Sequence, residues 1–361
     1  MSVAATAAVH RALETAPDGP VLVYDLGVIA RRMELARAAA RETGVSLLYA
    51  VKSFPLPAAL SLAVATLDGL DVAGPEEQAL AATLPPTTLS ITWPGDVSPA
   101  LIAPLAARHT VTVVCETAAQ LAAAATIPNV TLAIRLLADE DSRFGVAPDQ
   151  LRALAATAPD RIRALHLHGG PLLTAPAWVA ERARAACAAA AAAGLRLEQL
   201  DLGGSLHGFA IDRPTSGQSQ LAAAFAAARA AVPADIRLLF EPGRLWTEGA
   251  GFAAGRVLAA RDHGARILRV LELSRLAHLR WCTPRLVAPP PRAGEPRHHV
   301  ALLGASCCED DHLADALVPT GHLPALAVGS RVILGGITGY AAAWNRAFAG
   351  VPAATVVGAS P

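Results

Sequence analysis

From Leu47 onward, short apolar runs alternate with alanine-rich amphipathic segments. Eight runs read as strands: Leu47–Val51, Leu70–Ala73, Thr88–Trp93, Val111–Cys115, Thr131–Leu136, Ala164–His168, Gln199–Leu202 and Ile236–Phe240. Each is short, apolar and bounded by turn residues. The segments between most of them, such as Pro75–Ala82, Ala118–Ala125 and Trp178–Gly194, read as helices. Eight strand–helix repeats that close on themselves predict a (β/α)8 barrel. A doubly wound open sheet is the runner-up, but it does not need eight such strands. Upstream, Val21–Tyr24 reads as a strand and Leu26 to Thr43 as a helix. Beyond about Val257 the pattern changes. Ile267–Leu273, His299–Leu303 and Ser330–Leu334 look like strands, with turns and the proline loop Pro289-Pro290-Pro291 between them. The expected organisation is therefore a barrel over 26–257, with 1–25 plus 258–361 as a β-rich domain.

Composition narrows the partners. The 361 residues are 53% hydrophobic and 17% charged, which suits a buried core and excludes broad disorder. Formal net charge is zero, there is no basic cluster and aromatics are few, so nucleic acid is not expected as a partner. The stretch Met1 to Leu13 lacks the pattern of a signal peptide, and no apolar run is long enough to span a bilayer. The tract Ala188–Ala193 is flanked by Arg184 and Arg196 and reads as a helix. Five cysteines (Cys115, Cys187, Cys282, Cys307, Cys308) show no CxxC spacing, so neither a metal nor a disulfide framework is expected. A cytoplasmic protein is the simplest reading.

The candidate chemistry gathers at the C-terminal ends of the predicted strands, where barrels of this kind carry their sites. Lys52 follows the first strand and is the one lysine among 30 cationic Lys and Arg side chains. Arginine replaces lysine wherever charge alone matters, but only the lysine amine can lose its proton and attack a carbonyl. Asp71 lies in the second strand, Arg135 in the fifth and His168 at the end of the sixth. Gly203-Gly204-Ser205 and Gly243-Arg244 follow the seventh and eighth, and offer backbone N–H groups and a guanidinium suited to a phosphate. A lysine nucleophile with a phosphate cradle suggests pyridoxal 5′-phosphate, its aldehyde held on Lys52. Glu241 would then partner the ring nitrogen and His168 would lie against the ring face. In the β-rich region, Gly304-Ala305-Ser306-Cys307-Cys308-Glu309-Asp310-Asp311 sets two thiols beside three carboxylates. A thiol can deliver a proton to a carbanion. Each motif alone has a plainer explanation: a tight turn, a core histidine or a structural cysteine. The last is favoured for Cys115 and Cys187.

Together these residues resemble the fold-type III pyridoxal-phosphate decarboxylases, the group acting on ornithine, arginine and diaminopimelate. Tyr49-Ala50-Val51-Lys52 is similar to the family's Schiff-base lysine motif, and Asp71-Val72-Ala73 to its second-strand segment. Ser142-Arg143-Phe144-Gly145 resembles its SKFG motif, His166-Leu167-His168 the strand of the ring-stacking histidine, and Leu202-Gly203-Gly204 the phosphate loop. Glu241-Pro242-Gly243-Arg244 resembles the EPGR motif. Cys307 falls where the family has its catalytic cysteine, and Gly339-Tyr340 resembles the end whose tyrosine contacts phosphate. The resemblance implies an alanine racemase-like fold, a barrel plus β-domain. It also implies a head-to-tail homodimer whose shared sites each take Lys52 from one subunit and Cys307 from the other.

There are departures. Gly169-Gly170-Pro171 gives no hydroxyl after the stacking histidine, the third loop glycine is Ser205, and Cys308 stands where diaminopimelate decarboxylases carry glutamate. Glu272 to Trp281 replaces a segment that in the family includes an acid for a distal amine; Arg280 fits its substrate-carboxylate arginine. The expectation is decarboxylation of an α-amino acid other than lysine, ornithine or diaminopimelate, such as a siderophore or antibiotic precursor. Three alternatives stay open on the residues. One is an amino-acid racemase, which Glu241 disfavours because racemases of the alanine type place arginine at the ring nitrogen. A second is a non-catalytic pyridoxal-phosphate carrier, disfavoured by the region after Val257. The third is a substrate linked to a carrier protein.

Overall fold

Eight parallel strands close into a barrel in the order β2 to β9. They are β2 (Val45–Ala50), β3 (Gly69–Val72), β4 (Thr88–Thr92), β5 (Thr110–Cys115), β6 (Val130–Leu136), β7 (Ile162–Leu167), β8 (Gln199–Asp201) and β9 (Arg237–Phe240), and they follow β1 (Val21–Asp25) in the chain. The computed structural model describes residues 5–85, 87–158, 160–169, 172–209, 217–263, 266–287 and 294–360. Gly170, Pro171 and the proline run 289–291, all noted in the sequence, lie outside these. The chain divides into two compact units: Arg31–Lys52 with Leu60–Trp246, and Met1–Ala30 with Ser53–Ala59 and Thr247–Pro361.

The barrel unit closes because its strands are buried on both faces and rich in Leu, Val and Ile. Small residues allow the close approaches. A Cβ on Gly69 would lie 2.1 Å from the Thr88 carbonyl oxygen of the neighbouring strand. Gln199 of β8 donates to Thr112 Oγ1 of β5 at 3.1 Å. Where β2, β4 and β9 begin, the Arg237 guanidinium meets the hydroxyls of Ser46 and Thr88, both at 3.4 Å. This is the end of such a barrel that serves stability. The connecting helices carry their own boundary signals. Thr117 and Gln120 form a reciprocal capping box on Ala118–Ala125, and Pro176–Ala193, which contains the alanine tract, ends at Gly194 with φ +76°.

The second unit is a sheet of β10 (Gly251–His263), β11 (Arg266–Leu271), β12 (Arg285–Leu286), β13 (Arg297–Leu303), β14 (His312–Pro319), β15 (Arg331–Ile337) and β16 (Thr355–Ala359), together with β1. Its main path runs β12-β15-β10-β11-β13-β14. The N-terminal strand β1 lies antiparallel to β10 and parallel to β16. The helix Ala7–Thr15 covers this corner, its Val9 and Leu13 buried against Val21, Val23, Phe252, Ala254 and Ala359. Burying each large apolar side chain contributes about 1.5–3 kcal/mol. Strand β10 runs through residue 257, where the sequence pattern changes. Among the described residues no helix is long and apolar enough to cross a membrane.

Candidate active site

The apolar run that begins at Leu47 stops as β2 gives way to a single 3-10 turn, Val51–Ser53, and this turn carries Lys52. Two prolines at 55 and 57 prevent the strand from continuing. The Lys52 amine pairs with Asp71 from β3, which is itself fully buried. Its side chain keeps 31% exposure, so the amine is both anchored and reachable.

The ends of β6, β7, β8 and β9 supply an ionisable cluster. Arg135, His166 and Asp201 stand in register across three adjacent strands. His166 and His168, two apart, hold their rings nearly parallel, 6.1 Å between centroids. Glu241 Oε2 lies 3.1 Å from His166 Nε2 and 3.4 Å from His168 Nδ1. Glu241 is completely buried. Burial by itself would raise its pKa, but the two imidazoles and the Lys52 charge outweigh that and hold the carboxyl well below the usual range. Glu241 is thus an anion. Burial lowers the pKa of His168, against the opposing pull of Glu241, so this imidazole is neutral near pH 7. Lys52 acts electrostatically on both groups, so the amine shares their end of the barrel.

Arg135 holds this end together. Its guanidinium donates to the His168 carbonyl at 3.1 Å and to Glu116 at 3.4 Å, and stacks on the Phe144 ring at 4.6 Å. Phe144 is placed by the return of the chain after β6, where Val146 N–H donates to the Arg135 carbonyl at 2.8 Å.

The glycine loop after β8 is tightly built in. Gly203 has φ +68°, and a Cβ there would lie 2.2 Å from the Leu167 carbonyl oxygen; on Gly204 it would lie 3.0 Å from that of Glu241. Only glycine fits at 203, and a side chain at 204 would press on the Glu241 carbonyl. The Gly203 N–H donates to Asp201 Oδ1 at 2.8 Å, so the first loop amide is engaged inside the protein. Ser205, at φ +64°, takes the left-handed conformation that a third glycine would adopt freely. Gly243 and Arg244 follow β9 at the start of the short helix Arg244–Thr247, with Arg244 half-buried.

The other expected residues belong to the sheet unit. There the turn Ser274–Cys282 is a hub. Its Ser274 hydroxyl accepts from the amides of Leu276 and Ala277, and His278 ties Ser274 to the Pro352 carbonyl. The Gly304–Asp311 loop hangs from the same turn through Ala305 N–H to the Leu273 carbonyl at 2.9 Å. Asp311 is buried, and its two oxygens accept from the amides of Arg275 and Ser306 at 2.6 and 3.0 Å. The three carboxylates of the sequence run thus have separate fates: Asp311 braces the loop, while Glu309 and Asp310 are exposed. Cys307 is exposed and Cys308 half-buried. Exposed Arg280 places its guanidinium 4.4 Å from the Trp344 ring, and Trp281 meets Tyr340 edge-on at 5.2 Å. Cys115 is buried, and burial pushes its thiol up to about 12, which makes it inert; burial also raises Cys187.

The structure thus gathers Lys52, Asp71, Arg135, His168, Gly203, Gly204 and Glu241 in the barrel, and Arg280, Cys307, Cys308 and Tyr340 around one hub in the sheet unit. Sequence reasoning gave no role to His166, Asp201, Glu116 or Phe144. Two histidines at strand spacing were a readable signal for His166; the register that aligns Asp201 with it was not.

The donor set fits pyridoxal phosphate. An anchored amine, a flat neutral imidazole and a buried carboxylate held ionised are the three groups its aldehyde, ring face and protonated ring nitrogen require. A family model described as "Pyridoxal-dependent decarboxylase, pyridoxal binding domain" matches residues 26–248. No curated protein matches the chain in sequence. Among solved structures, the chain is similar to the arginine decarboxylase of Paramecium bursaria Chlorella virus bound to agmatine, with TM-score 0.79, 17% identity and 98% of each chain covered. The lysine/ornithine decarboxylase of Vibrio vulnificus with cadaverine gives TM-score 0.78 and 23% identity over 98% of this chain and 99% of that one. The carboxynorspermidine decarboxylase of Campylobacter jejuni with norspermidine gives 0.74 and 17% over 94% of each. At these identities the structures speak for the fold, while the family match spans the whole barrel. The chain belongs to the pyridoxal-dependent decarboxylases, carboxy-lyases of fold type III whose cofactor is pyridoxal 5′-phosphate.

Proposed function

We propose that the protein decarboxylates an α-amino acid whose side chain does not end in an amine. The observation that carries the reading is the Lys52 amine at the same barrel end as the buried Glu241 anion and the neutral His168. Bound pyridoxal phosphate supplies an electron sink for the pair left on Cα when carbon dioxide departs. The rest falls to the chain. Lys52 holds the aldehyde and later releases the product. Glu241 keeps the ring nitrogen protonated, and His168 packs flat, its position fixed through Arg135. Asp71 orients the Lys52 amine. Gly204, Ser205, Gly243, Arg244 and Tyr340 hold the phosphate, and Gly203 sets the loop's path. Arg280 takes the substrate carboxylate, Cys307 delivers a proton to Cα, and Cys308 lines the substrate side.

The substrate class follows from what the hub's acids are doing. Glu272 Oε2 accepts from the Arg256 amide at 3.1 Å, and each Asp311 oxygen accepts from a backbone amide of its own turn or loop. The segment Glu272 to Trp281 departs from the family's pattern where that pattern has an acid for a distal amine, and Cys308 offers no charge where diaminopimelate decarboxylases carry glutamate. Lysine, ornithine and diaminopimelate are disfavoured on this ground. By elimination the reading points to specialised metabolism, such as a siderophore or antibiotic precursor. We place it in the cytoplasm, as a head-to-tail homodimer in which the exposed Cys307 serves the partner's barrel. The domain roles follow: 26–257 binds the cofactor, and 1–25 plus 258–361 supplies the thiol.

The test is a screen for carbon dioxide release across amino acids grouped by side-chain charge, with Lys52→Ala as control. Turnover of neutral or acidic substrates above the basic ones is expected. Preference for a diamino acid ends the substrate reading; an unchanged visible spectrum of the bound cofactor in Lys52→Ala ends the site reading.

A further inference from the structure

Asp201 has no part in the scheme above, yet it is one of the most enclosed charged-type side chains in the molecule, 2% exposed at the end of β8. Its Oδ1 accepts the Gly203 N–H at 2.8 Å. Its Oδ2 is buried and meets no N–H donor among the described residues, and the same holds for Glu241 Oε1. Asp201 and Glu241 stand at the ends of the adjacent strands β8 and β9, joined by the Glu241 N–H donating to the Gly203 carbonyl at 2.9 Å, and their carboxyl groups interact, each with one oxygen lacking a donor. A buried oxygen left so is costly, and two adjacent buried anions more so. One proton between them removes both costs. We infer that Asp201 is a neutral carboxylic acid that donates its O–H to Glu241, a positioning residue that fixes and keeps ionised the partner of the cofactor ring nitrogen.

The choice of which carboxyl holds the proton follows from the groups around them. Glu241 faces His166 and His168 from β7 and Lys52 beyond β2, all favouring its anion. Asp201 faces Glu241 and Asp71, both anionic, with only the Gly203 amide to favour charge; burial first, then Glu241, raises it well above the ordinary range. The proton therefore sits on Asp201. A carboxylate has about four acceptor positions, so Glu241 retains room for the ring nitrogen beside Asp201 and His166.

This rests on the cofactor reading of Glu241, but its first test does not. Asparagine reproduces the neutral acid: one oxygen to accept from Gly203, one N–H to donate to Glu241. Infrared difference spectra of the cofactor-free and loaded protein against Asp201→Asn should show the carbonyl band of a buried protonated carboxylic acid at neutral pH, missing in the variant. Its absence from the native protein overturns the proposal, whatever the enzyme's substrate. Cofactor affinity is the second readout. Asp201→Leu, which fills the space without a donor, should bind pyridoxal phosphate about tenfold or more weakly. Asp201→Asn should restore most of that loss and keep the native spectrum of the bound cofactor. If Asn is as damaging as Leu, or if Leu folds with unchanged affinity and spectrum, Asp201 does not act through a donated hydrogen bond. Circular dichroism of both variants identifies a Leu protein that has not folded, in which case the infrared band and the Asn variant decide.

Discussion

The barrel and the hub of the sheet unit hold their functional groups in opposite ways. In the barrel, Glu241, Asp71, His166 and Asp201 are buried, each near the end of a different strand, with Glu241 paired to His166 and Asp71 to Lys52. Around the hub, Cys307, Arg280 and Trp281 stand exposed on turns, while the buried groups, Asp311 and His278, serve only to brace those turns. The barrel is pre-organised for one invariable ligand, the cofactor. The hub leaves its exposed thiol and its guanidinium on segments whose chemistry can change without disturbing a core. Substrate choice is therefore expected to reside in the hub, and cofactor chemistry in the barrel.

The contrast is broken most directly at Lys52. Lys52→Ala should reduce carbon dioxide release on the order of 10⁴-fold or more, because the nucleophile is gone. Next, Glu241→Gln should reduce turnover about 10²–10³-fold by removing the charge opposite the ring nitrogen. Cys307→Ala should cost about 10²-fold and divert product toward transamination, measured as the ratio of amine to carbonyl product. Cys308→Ala should change rate less than about tenfold and act mainly on KM; the reverse ranking of the two thiols would exchange their roles. Smallest is Trp281→Ala, which should shift relative kcat/KM among substrates several-fold and leave the cofactor spectrum unchanged, about 1 kcal/mol or less. A spectrum altered by Trp281→Ala would erase the separation between the two regions.

Acid sensitivity sharpens the same contrast. Glu241 has a folded pKa below its unfolded value, so its stabilisation is present above the ordinary carboxylate range and is lost as pH falls through the lowered value. Asp201 has the opposite sign. Its folded pKa is raised, so its contribution falls as pH rises from the ordinary range toward the raised value. Chemical denaturation across pH should show that Asp201→Asn flattens the second limb while Glu241→Gln removes the first.

The legibility of the sequence divides along the same line. Each of the eight barrel strands was readable, because parallel strands buried on both faces form unbroken apolar runs. In the sheet unit, β1, β11, β13 and β15 were anticipated, but β10, β12, β14 and β16 were not. Strand β10 carries Phe252-Ala253-Ala254-Gly255 and Leu258-Ala259-Ala260-Arg261, where alanine and arginine favour helix and the burial pattern, not propensity, makes the strand. In the site, the motifs located Lys52, His168 and Glu241, since each ends a strand. Sequence did not disclose that Gly203 gives its amide to Asp201 or that Asp311 is internal to its own loop. Both depend on which oxygen a backbone N–H reaches, which spacing alone does not encode.

The lysine noted first has a practical corollary. With one ε-amine in the whole chain, partly accessible beside Asp71, any reagent that selects primary amines has a single side-chain target, competing only with the α-amino group. Borohydride trapping of the loaded protein should accordingly add one cofactor mass per chain at one tryptic position, so the modified fraction in a mass spectrum reads out site occupancy directly.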